Sequence, residues 1–157
     1  MIDFANELRK AYNTDAWHGS NVSTVIASVK IAQAFARPIS DAHSIAELVL
    51  HLSSWTEEVI SRLSGNLPKE PRNGDWPVPL NETEEYWKAI VTEFSQVNED
   101  LLILVKQFSE DQWRAKLFTG PIPTASLSHF ELLNGLIQHH AYHAGQIALL
   151  SKFKNHE

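Results

Sequence analysis

The chain has 157 residues, 43% of them hydrophobic and 20% charged, with a formal net charge of −6. That length and balance fit one globular domain over 1–157, and they argue against nucleic acid or an anionic membrane as the main partner. With no cysteine in the chain, disulfides, thiolate metal sites and cysteine nucleophiles are excluded, so a bound metal would need nitrogen and oxygen ligands.

The N-terminal stretch Met1-Ile2-Asp3-Phe4-Ala5-Asn6-Glu7 lacks the cationic start and apolar run of a signal peptide. No apolar run approaches the ~18 residues that span a bilayer, which makes the cytoplasm the expected compartment. Phe4, Leu8, Ala11 and Tyr12 mark a short amphipathic helix over 2–13. Turn formers from Thr14 to Asn21 break that period, and helical spacing returns at Val22, Val25, Ile26 and Val29. This pattern predicts one interrupted first helix with Trp17-His18-Gly19 at the interruption, followed by a connection from Pro38 to Asp41.

Ser44-Ile45-Ala46-Glu47 is a capping box, in which a serine and a glutamate satisfy each other's free backbone N–H groups. Ile45, Leu48, Leu52, Trp55, Val59 and Leu63 follow at helical spacing until Gly65 and Pro68 end the run. His51 sits on the edge of this stripe, with Glu47 one turn before it. Glu47 could serve as a ligand, but its capping role explains it more cheaply. Residues 66–80 carry Pro68, Pro71, Gly74, Pro77 and Pro79 and cannot be helical. Loops of this length are usually functional or cross a bundle, and Trp76 within it should pack over something apolar.

Asn81 with Glu84 opens a third main helix, whose stripe is Trp87, Ile90, Phe94, Val97, Leu101, Leu104 and Phe108. Gly120-Pro121-Ile122-Pro123 makes another break. Ser128-His129-Phe130-Glu131 is a second capping box, leading into a helix that runs to about Phe153. No stretch shows strand alternation. Four main helices and one long crossover between helices 2 and 3 predict an all-α four-helix bundle.

The last helix carries His139, His140 and His143. His139 and His143 lie one turn apart and share a direction with Leu132, Leu136 and Leu150, the face expected to turn inward. Buried imidazoles need partners for their nitrogens, and a divalent transition metal is one such partner. Ordinary hydrogen bonds are the other explanation for a paired histidine. Bundle sites are built from facing helices, so His51 is the natural third partner. Three neutral imidazoles would leave a coordination position open, as catalytic metals require. A zincin motif fails because the residue after His139 is His140, and no glutamate stands three places before a histidine, as di-iron bundles need.

His140 points about 100° away, toward Leu133 and Ala144, as a supporting or packing residue. Gln146 is placed to orient a ring nitrogen, and Gly145 to admit a close helix approach. His18 is expected to cap or face solvent more readily than to join the site. His43, His129 and His156 are ordinary residues near helix ends, and Tyr142 points away from the chemistry.

Two segments carry a resemblance over essentially the whole chain. Ser44-Ile45-x-Glu47-Leu48-Val49-x-His51-x-x-x-Trp55 and His139-x-x-x-His143-x-Gly145-Gln146-Ile147, with Trp17-His18-Gly19, resemble the DinB/YfiT-like family of metalloenzymes. The resemblance implies a four-helix bundle, a mononuclear site of His51, His139 and His143, and frequent homodimers. Some relatives transfer or isomerise substrates with low-molecular-weight thiols. It therefore implies a metal-dependent transferase or hydrolase acting on a small molecule. Zinc or nickel is the first expectation, with iron or manganese as alternatives. A non-catalytic metal-binding or stress-associated bundle is the competing reading.

Overall fold

The computed structural model describes residues 2–117 and 127–153. Its elements are α1 (Phe4–Tyr12), α2 (Val22–Ala27), α3 (Ile31–Ala34), α4 (Ile45–Leu63), α5 (Glu84–Val105), α6 (Glu110–Arg114) and α7 (His129–Leu150). Only helices and two isolated backbone bridges occur among the described residues, as the apolar spacing predicts. The break expected at Gly120–Pro123, and His156, lie outside the described residues.

Four of the caps follow from short polar side chains meeting free N–H groups. Asp3 accepts from Asn6 N and Asn21 from Thr24 N. Both predicted capping boxes form, at Ser44/Glu47 on α4 and Ser128/Glu131 on α7. The opening of α5 differs from expectation. Thr83 is the cap, accepting from Tyr86 N, while Asn81 Oδ1 accepts from the Thr83 backbone and hydroxyl. Thr83 simply stands closer to the helix start, and Asn81 braces it.

The N-terminal segment is also more divided than one interrupted helix. Asn21 caps α2 afresh and its Nδ2 donates to Thr14 O, so residues 13–21 form a tied turn between separate helices. Gly19 takes a positive φ of 116° there, which few side chains tolerate. The short α3 and α6 were not legible as periods, being one turn each. Gln33 anchors α3 by donating to Ser151 O at the end of α7, and Trp113 of α6 packs between Phe4 and Phe108.

The core runs through Leu8, Ile45, Leu52, Ile90, Phe94, Leu101, Leu133 and Ile147. Helix α4 packs on both α5 and α7, and α7 also meets α1, α2 and α6. Neighbours on several sides explain why α7 buries Leu132, Leu133, Leu136, Ala144, Ile147 and Leu150 rather than one narrow stripe. Of the predicted third stripe, Trp87, Ile90, Phe94, Val97 and Leu101 are buried, whereas Leu104 and Phe108, the latter beyond the end of α5, are only partly covered. No helix among the described residues is long and apolar enough to cross a membrane.

Candidate metal centre

Helices α4 and α7 lie side by side, and their contact brings His51 against His139 and His143. The two α7 residues are one turn apart, so their rings meet edge to face on the same side of the helix, 4.4 Å between centroids. His139 Nε2 lies 2.9 Å from both His51 Nε2 and His143 Nε2. All three residues are buried or half-buried.

The outer nitrogens of two rings are already engaged. His51 Nδ1–H donates to the Asp75 carbonyl at 2.6 Å, with the Asp75 carboxylate 3.3 Å away. His143 Nδ1–H donates to Gln146 Oε1 at 2.5 Å. A neutral ring holds one N–H, so both rings present a bare Nε2 lone pair to the cluster. His139 could donate to one of them only. Burial lowers the pKa of all three rings, that of His139 to about 3, where the neighbouring imidazoles push the same way. At neutral pH no imidazolium is present to bridge the lone pairs. A cation in their midst would satisfy all three, since neutral imidazole is a ligand for divalent transition metals. The donor set fits such an ion.

The connection between α4 and α5 folds back over this turn of α4. Ser54 Oγ donates to Gly74 O at 2.7 Å, and Trp55 Nε1 donates to Asp75 Oδ1 at 2.6 Å. These bonds hold Asp75 against His51. Trp76 follows, and its indole lies flat between two imidazoles, 3.6 Å from His43 and 3.8 Å from His51. Trp76 packs against the hydrophobic core as expected, and its ring is in addition sandwiched in a histidine–tryptophan–histidine stack. Asp75 has no signal of its own in the sequence, and His43 reads there only as an ordinary residue near a helix end. The one pointer to either was a proline-rich connection of unusual length beside a capped helix start.

Two cavities adjoin the cluster. One, of about 350 Å³, has His43, Trp76, Tyr142, His143 and Gln146 on its wall. The other, of about 280 Å³, is bounded by Trp55, Arg62, Gly135 and His139 among others. Exposed Tyr142 thus edges the first cavity, although its sequence position offered no chemistry.

The remaining candidates resolve as follows. Glu47 is buried, accepting from Ser44 N and from Arg37, which confirms its structural role. His18 is exposed in the turn before α2 and outside the cluster. His129 Nδ1 donates to Ala115 O. Gly145 is exposed, and among the described residues no atom lies within 4 Å of an added Cβ. The close helix approach expected there does not occur, because that side of α7 faces solvent. His140 is fully buried and turned to α5. Its Nε2–H donates to Asn98 Oδ1 at 2.9 Å, while Nδ1 lies 3.1 Å from Leu136 O. Burial brings its pKa down to about 4, outweighing the carbonyl that favours the charged form.

Comparison with known proteins agrees with this architecture. The family model described as the DinB superfamily matches residues 15–147. The chain is also similar to a DinB-like protein from Bacillus cereus ATCC 10987, known from a crystal structure. The TM-score is 0.63 at 14% identity, over 82% of this chain and 80% of that one, a likeness of fold. No curated protein matches.

Proposed function

The chain belongs to the DinB superfamily, and on that footing we propose that it is a metal-dependent enzyme whose ion is held by His51, His139 and His143. The observation that carries this reading is the convergence of three neutral Nε2 atoms, two of the pairs at 2.9 Å. A divalent transition metal supplies Lewis acidity, lowering the pKa of a bound water or thiol and polarising a substrate carbonyl. Zinc and nickel head the list of ions, with iron or manganese behind them.

The chain's own residues do the positioning. Asp75 and Gln146 fix the tautomers of His51 and His143, so that Nε2 is the nitrogen offered. Trp76 covers the outer face of His51 and holds water away from it. The adjoining cavities, of about 350 and 280 Å³, give a small molecule room to approach. With no cysteine in the chain, a thiol taking part would belong to the substrate or a co-substrate. The reading is a transferase of small thiols or a hydrolase, acting as a homodimer. Glu47 and His18, which could have closed a fourth position, are engaged or placed elsewhere, and this favours a catalytic over a purely structural ion.

Calorimetric titration with zinc and nickel tests the proposal. Wild type should bind one equivalent, and His51→Ala should lose most of the affinity, because His51 alone brings α4 into the site. Equal binding by the two proteins would remove the triad and the case for an enzyme with it. A thiol-transfer and ester-hydrolysis screen of the loaded protein then separates the reaction classes, and light scattering tests the dimer.

A further inference from the structure

We propose that His43 is the proton acceptor for a ligand bound in the cavity beside the triad, an apolar small molecule carrying one weakly acidic O–H or comparable donor. This rests on the metal reading above. It adds a residue and a ligand class that the triad alone does not supply.

The cavity beside His143 is lined mainly by apolar side chains. Its floor includes buried Leu48 and Leu150, and its mouth is edged by exposed Ile39 and Leu149. Its polar groups are His43, His143, Gln146, the Tyr142 hydroxyl and the Trp76 indole N–H. Gln146 is bonded to His143, and His143 offers its Nε2 to the cluster. The Trp76 N–H can only donate, and exposed Tyr142 stands at the edge, so His43 is left as the basic group with no assignment. Neither of its ring nitrogens makes a hydrogen bond among the described residues, and its Nδ1 is a buried atom without a partner. An apolar wall with one unengaged imidazole suits a ligand that is mostly apolar and gives up one proton.

The ring is held for that task. Stacking on Trp76 at 3.6 Å and 2° fixes its plane, and Trp76 is fixed in turn by His51 on its other face. Nδ1 faces the buried Glu47 carboxylate at 3.9 Å. The groups around His43 are Glu47 and His51 from α4, Arg37 beyond Glu47, and His143 from α7. With the Nδ1 proton directed at Glu47, Nε2 holds a lone pair for an incoming proton. The imidazolium so formed keeps Glu47 as its counter-charge, shared with Arg37. In the step itself, the ligand's O–H bond breaks and its electron pair stays on oxygen. The proton moves to Nε2 of His43.

Hydroxamic acids are suitable probes, because they chelate metals with loss of one hydroxyl proton. Zinc-loaded wild type, His43→Gln and Ala42→Trp are titrated calorimetrically with benzohydroxamic and acetohydroxamic acid, at about pH 7.5 in two buffers of different ionisation enthalpy. Wild type should prefer the benzo compound by about tenfold or more, and His43→Gln should release about one further proton per ligand to the buffer with weaker binding. Ala42→Trp, which fills the cavity wall, should abolish the preference for the larger probe while binding zinc like wild type. Equal proton counts in wild type and His43→Gln would overturn the role of His43. An undiminished preference in Ala42→Trp would overturn the cavity. Zinc-loaded protein that binds neither acid removes this inference and leaves the metal reading standing. Failure of wild type to take up zinc removes both.

Discussion

Two neighbouring histidines of α7 meet opposite fates. His140 turns to α5, is fully buried, and finds a conventional partner in Asn98, itself anchored to Phe94 O. His139 turns to α4 and finds only the nitrogens of two other imidazoles. Both rings are pushed toward neutrality by burial. The difference is whether the protein itself supplies the complementary atom. Where it does, the histidine is a packing element. Where it does not, the lone pairs are left for something brought in from outside.

The contrast breaks most sharply by substitution. His139→Ala removes one of three ligands and should weaken zinc or nickel binding by 100-fold or more, on the order of 3 kcal/mol, with little change in the stability of the metal-free protein. His140→Ala should do the reverse. It opens a cavity and leaves Asn98 Oδ1 unpaired, at a cost of about 2–4 kcal/mol in chemical denaturation, with metal affinity within a few-fold of wild type. Matching losses of affinity in both variants would erase the distinction.

Next in size is the support of the triad. Gln146→Ala frees the Nδ1 proton of His143 and should weaken metal binding about 10-fold to 100-fold without altering stoichiometry. An unchanged isotherm would mean that packing alone orients His143.

Acidification sharpens the comparison from another side. His140 has a folded-state pKa lowered to about 4, and the triad rings are lowered too. The unfolded chain, with ordinary imidazoles near ~6.5, takes up protons that the folded chain refuses. Stability of the metal-free protein should therefore be full above ~6.5, fall as pH drops below it, and keep falling toward about 4. His140 alone contributes up to ~1.4 kcal/mol per pH unit. Thermal melts between pH 7.5 and 5 should show this slope, shallower in His140→Gln and shifted to lower pH by bound zinc. A flat profile in metal-free wild type would contradict the burial of these rings.

The smallest effect concerns Gly145, two places beyond His143. It is exposed within α7 with no neighbour to clash, so Gly145→Ala should stabilise the protein by about 0.5–1 kcal/mol and leave metal binding unchanged. Destabilisation would reveal a close approach at this position after all.

The sequence by itself determined the helical class, both capping boxes, and the long helices to within a few residues, since caps and periodicity are local properties. His51, His139 and His143 were legible as a set because helical spacing places two of them together, the facing-helix logic of a bundle offers the third, and a family resemblance implies all three. Tertiary structure decided the rest. Helical spacing separates His139 and His143 from His140, but which neighbouring helix each side meets could not be read from α7, because a helix with neighbours on several sides has no single inward face. Thr83 displaced Asn81 as the α5 cap, and Gly145 turned out to face solvent. Asp75 and Trp76 reach the centre through a connection with no period to follow, and His43, just before α4, meets Trp76 only once that connection folds back onto α4. Local bonding marks where helices begin and end; which side chains share a centre depends on how separate segments pack, and that packing is not written in the neighbours of any one residue.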